Sequence, residues 1–210
     1  TNNSQRQVNN LDAANPRSYT DTKGSKEQKG NVHGHIVRLA QTQPAAKDFK
    51  WDIYLFASEA DADKSLINLS SLTDDNDLSS PDGLVFSPST GICWIQTDDG
   101  AFTDETNCML LASVPGSVGD GGEFYVDNSL LSGTTTTTGV TKTFIGGVLG
   151  ESRLRRFLVA PKGAEVTGLT ETADGKTMFV NIQHPGENTP AHGTAANLTL
   201  ESTWPGNGGG

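Results

Sequence analysis

Two carboxylates, Asp82 and Glu165, stand at matching places in two similar stretches of this sequence. The stretches GLVFSPSTGICWIQT and GLTETADGKTMFVNIQ align with Gly83 on Gly168, Pro88 on Ala173 and Trp94 on Phe179. Asp82 immediately precedes the first stretch, and Glu165 lies two residues ahead of strict correspondence. Calcium takes six to eight oxygen ligands, mostly carboxylates and carbonyls. Acidic groups that begin successive strands around one axis can supply such ligands together. Asp98, which follows the strand in WIQTD, is a third candidate, and Asn107 a weaker one. Without a ligand, Asp82 simply opens a Pro-Asp-Gly turn, Glu165 is a solvated charge and Asp98 ends a strand.

The other reactive side chains are less telling. His33 and His35 flank Gly34 in VHGHI, and a His-x-His pair can bind transition metals, but no third ligand lies nearby in sequence. His35 reads as structural, and neither His184 nor His192 is assigned a catalytic role. Arg153, Arg155 and Arg156 form a basic cluster that a period-two strand splits between its faces, which suits a solvated outer strand. Cys93 and Cys108 sit in apolar runs and read as small core residues. The sequence has no nucleophile-elbow, zincin, Walker or EF-hand pattern.

These residues are carried by strands. The apolar runs are short and bounded by Gly, Pro, Asp, Asn and Ser. Strands are expected at about 33–41, 50–57, 81–87, 91–97, 107–113, 153–160, 164–171 and 177–183. The turns at 87–91 and 172–175 have the glycine-containing length of tight hairpins. The repeat interval fits a four-stranded propeller blade enlarged by a loop insertion, expected at 114–152. Strands 81–87, 91–97, 107–113 and 153–160 then form one complete blade, with half a blade on either side. The fold class is all-β: a single partial β-propeller domain over 1–210, ending in a Gly/Pro-rich tail at 185–210. One blade and two halves cannot close a ring, so the missing blades are expected from the rest of a longer chain or from another chain.

Composition narrows the class further. The formal net charge of −10 opposes binding to phosphate backbones, so no nucleic-acid partner is expected. No apolar run approaches the roughly 18 residues that span a bilayer, so no membrane partner is expected.

The stretches SSPDGLVFSPSTGICWIQTD, NCMLLAS, RRFLVAPKGAEVTGLTETADGKTMFVNIQHPGE and STWP, with TNNSQR and NVHGHIVRL before them, resemble the C-terminal part of PhoX-type alkaline phosphatases. The resemblance runs from residue 1 to about 205, with gaps at 58–79 and 114–152. It implies a six-bladed propeller that hydrolyses phosphate monoesters with calcium and iron at the centre of the ring. It also implies export to the bacterial periplasm or exterior. The family's iron-binding cysteine, a glutamate ligand and a phosphate-binding arginine are expected upstream of this segment, which leaves the isolated segment inactive. Asp82, Glu165, Asp98 and the amide oxygen of Asn3 are the expected metal ligands here. Two alternatives remain: a calcium-binding scaffold without catalysis, and a lactonase-type propeller hydrolase that works without iron.

Overall fold

The computed structural model describes residues 11–128, 139–189 and 200–206. Asn3 and His192 therefore lie outside the described residues. The described chain is all-β, with a single four-residue helix, α1 (Gly150–Arg153), among the described residues. No helix among them is long and apolar enough to cross a membrane.

The centre is a four-stranded antiparallel sheet. It contains β5 (Pro81–Phe86), β6 (Cys93–Thr97), β7 (Met109–Ser113) and β10 (Leu154–Val159), in the spatial order β10-β7-β6-β5. This is the complete blade expected from the sequence. β6 and β7 are covered on both faces, and side-chain alternation sends consecutive residues into two different cores. Cys93, Ile95, Met109 and Leu111 pack with Ile36, Tyr54 and Leu55 on one side. Trp94 and Leu110 pack with Val166 and Ala164 on the other.

The first of those cores joins the blade to β3 (His35–Gln41) and β4 (Phe49–Phe56). The second joins it to a hairpin of β11 (Glu165–Glu171) and β12 (Met178–Gln183). None of these sheets closes on itself. The stack is an open section of a propeller, one full blade between neighbouring strands.

Two hairpins fall where the sequence reads as loop. β1 (Tyr19–Lys23) pairs with β2 (Lys26–Gly30), in a segment whose polar residues show no apolar alternation. Within 114–152, β8 (Gly122–Asp127) pairs with β9 (Val140–Ile145) and extends the β3–β4 sheet through a parallel contact of Ile53 with Ile145. Val126 and Phe124 pack against Ile53, Phe56 and Leu69, so this insertion has apolar anchors of its own.

The repeat is reproduced in the strand register. Val85 faces Trp94 in one hairpin and Thr170 faces Phe179 in the other. Each hairpin carries an irregularity at the start of its first strand, between Pro81 and Leu84 and between Val166 and Gly168. Such bulges bend a strand and re-aim its side chains. At Gly83 the bulge brings the backbone close to the buried Gln96 side chain, where an added Cβ would lie 2.5 Å from Oε1.

A carboxylate cluster at one end of the propeller section

The same chain direction in the two hairpins puts the start of β5, the end of β6, the start of β11 and the end of β12 at one end of the stack. Asp82, Asp98, Glu165 and His184 occupy these four positions. Asp82 and Asp98 are exposed, while Glu165 is buried. Glu165 accepts a hydrogen bond from Gln183 Nε2 at 3.0 Å and lies 3.5 Å from His184 Nε2.

The charges act on one another. Partial burial and then the Asp82 charge raise the Asp98 carboxyl above its ordinary value, against the opposing pull of His184. Burial, followed by Asp98 and Asp82, raises the Glu165 carboxyl in the same way. Burial pulls the His184 imidazole down, but the Gly163 carbonyl, Glu187 and Glu165 hold it above its ordinary value. His184 Nδ1 is 3.1 Å from the Gly163 carbonyl oxygen, which fixes it as the protonated nitrogen. The residue adopts a left-handed backbone with φ of 38° directly after β12. Such strain persists only where the surroundings hold it.

Asp98, Asn107, Lys162, His184 and Glu187 line a cleft of about 470 Å³ at this end. The structure thus brings three of the four expected ligands into one electrostatic neighbourhood. Their oxygen donors suit a hard cation such as calcium. Gln96, buried beside the Asp82 bulge, has an amide Nε2 with no partner among the described residues. The cysteines do not offer a thiolate: both are buried and free, and burial pushes the Cys93 thiol up to about 11.

The remaining candidates separate. Arg155 pairs with Asp75 at 3.2 Å on the surface, and Arg156 is half-buried against Asp77. His33 and His35 point apart and do not chelate together. His35 lies 2.6 Å from Asn31 Nδ2, within a network built on the buried Arg17. Its burial, and then the Arg17 charge, hold the imidazole down to about 4. His33 instead faces Asp21 and Glu59. Sequence reading named His184 without giving it a role and passed over Glu187. A histidine two positions from a glycine and three from a second carboxylate carries no spacing signal of its own.

Stacked antiparallel sheets with acidic groups gathered at one end define an open section of a β-propeller. The chain belongs to the alkaline phosphatase PhoX family, whose sequence pattern matches residues 1–186. The structure is similar to Pseudomonas fluorescens PhoX in complex with vanadate, a transition state analogue, with a TM-score of 0.59 and 29% identity over 90% of this chain. The chain spans 26% of the length of that protein. No curated protein matches it in sequence.

Proposed function

We propose that this segment forms one wall of the metal centre of a secreted alkaline phosphatase that hydrolyses phosphate monoesters. The observation that carries the reading is the convergence of Asp82, Asp98 and Glu165, from three strands, within mutual electrostatic reach. Family membership and the likeness to a phosphatase solved with a transition-state analogue support it.

In this reading Asp82, Asp98 and Glu165 hold calcium, and Asn3 adds an amide oxygen. Held by these residues, a cation would supply Lewis-acid polarisation of phosphoryl oxygens and offset charge developing on them. The bulge at Gly83 sets the aim of Asp82, and Gln183 and His184 orient Glu165. Lys162 at the cleft provides a positive charge toward which a phosphate monoester is drawn. Iron and the remaining ligands come from propeller strands outside this segment, so the segment alone turns over no substrate.

The test is p-nitrophenyl phosphate hydrolysis at alkaline pH with calcium and iron, by the 210-residue chain and by a longer chain that completes the ring. Turnover by the longer chain, abolished by D82N, supports the reading. Robust turnover by the 210-residue chain alone contradicts its division of ligands. Calcium binding without turnover in the completed ring favours the scaffold reading instead.

A further inference from the structure

His33, Asp21 and Glu59 come from three separate elements and meet away from the cluster just described. Their ligand atoms all lie within 4.8 Å of one another. Loop residues 98–107 separate the two places: Asp98 opens that loop beside Glu165, and Phe102 within it packs edge-on against His33. His33 is buried, with 1% of its side chain exposed. Its Nε2 is 2.7 Å from Asp21 Oδ2 and 4.0 Å from Glu59 Oε1. Tetrahedral bonds of roughly 2.1 Å place ligand atoms about 3.4 Å apart, between those two separations. The Asp21–His33 separation must open by about 0.7 Å and the His33–Glu59 separation close by about 0.6 Å to reach it, on the order of ordinary side-chain movement.

The surroundings are those of a supported ligand set. Ser79 Oγ lies 3.0 Å from His33 Nδ1, so the far ring nitrogen has a hydrogen-bonding partner that orients the imidazole. The His33 backbone N–H donates to Tyr19 Oη at 2.9 Å, and the Tyr19 ring stacks on the imidazole. Among the described residues no lysine or arginine pairs with Asp21 or Glu59. An acidic pocket of about 380 Å³, lined by Glu59, Asp61, Asp74, Asp77 and Glu105 with Arg156 paired to Asp77, opens onto the Glu59 side of the cluster. Carboxylates outnumber the one arginine there, and a net negative cleft concentrates cations at its mouth. Burial, with Asp21 and Asp61 next, also pushes the Glu59 carboxyl up to about 7.

We propose that Asp21, His33 and Glu59 form a second metal site, for a divalent transition cation of the zinc type, reached through this acidic pocket. One imidazole nitrogen and two carboxylate oxygens suit zinc, cobalt or manganese better than calcium, and water completes the shell. On binding, the ion takes the lone pair of His33 Nε2, and the imidazole proton sits on Nδ1, where Ser79 Oγ accepts it. The proposal is independent of the phosphatase reading.

The probe is cobalt(II) alone, titrated into the 210-residue chain in excess calcium and followed by visible absorption. One equivalent is expected to bind, with the bands of a four-coordinate ion, and zinc is expected to displace it. H33Q and E59Q are each expected to weaken cobalt binding about tenfold or more, while D82N leaves it unchanged. Glu59 is only half-buried, so E59Q decides the matter if H33Q does not fold. Absence of the bands, wild-type cobalt affinity in E59Q, or loss of binding in D82N overturns the proposal.

Discussion

Asp98, the residue after β6, raises the proton affinity of Glu165, at the start of β11, across the boundary between two sheets. Two carboxylates that oppose each other's ionisation are costly to gather unless a cation shares them. From this relationship the pH dependence of binding follows.

Protons and calcium compete for Asp98 and Glu165. Both carboxyls are raised, so protons compete at higher pH than at ordinary carboxylates. Calcium affinity is expected to fall as the solution is acidified, beginning above the pH at which ordinary carboxylates take up protons, and E165Q is expected to bind more weakly with a shallower dependence. Calorimetric titrations at several pH values provide the check, and a flat wild-type profile counts against the shared site.

The bulge at Gly83 is expected to tolerate no side chain. A Cβ there meets Gln96 Oε1 at 2.5 Å, and Gln96 is buried and cannot swing away. At the matching Gly168 the nearest atom is Asn181 Nδ2 at 3.0 Å, on an exposed side chain that can move. G83A is therefore expected to lose about 1–3 kcal/mol of stability and to weaken calcium binding, whereas G168A stays near wild type. Urea unfolding of the two variants separates them.

Arg17 is buried, and among the described residues it has no carboxylate partner. It donates to Asn31 Oδ1 and to the carbonyls of Gly34 and Ala57, each at 2.7–2.9 Å. Its guanidinium also lies 4.9 Å from the ring centres of both Tyr19 and Phe56. R17M leaves several buried acceptors without a donor and is expected to cost about 3 kcal/mol or more. R17K restores charge but not the planar fork, so little recovery is expected. Chemical denaturation measures both.

His35 gives the fold an acid limit. Its folded value near 4 lies below the ordinary 6.5, so the unfolded chain binds more protons between those values. Stability from keeping His35 neutral is full above about pH 6.5 and is lost as pH falls toward 4. At about 1.4 kcal/mol per pH unit the loss is on the order of 3 kcal/mol. H35Q is expected to flatten this part of the profile, as read by thermal melting across pH.

The blade was legible because burial on both faces leaves continuous apolar runs, as in CWIQT and MLLAS. The repeat of the two hairpins was legible because Gly83 and Gly168 recur at the same step before Trp94 and Phe179, whereas the bulge at each glycine shows only in the strand register. The β1–β2 hairpin was not, because YTDTK and KEQKG are polar throughout and only Tyr19 anchors them in a core. The alternation in GEFYVD is real, but Gly, Ser and Thr around it obscure its bounds. His33 carried a metal-binding signal whose partners sequence could not supply, since Asp21 and Glu59 arrive from other elements.

Calcium calorimetry on the wild type, D82N, E165Q and the double variant addresses the shared centre most directly. A single strong site is expected, weakened about tenfold or more by each substitution, with the double variant far from additive because both remove ligands of one ion. Wild-type affinity in both single variants would show that the two carboxylates grip no common cation.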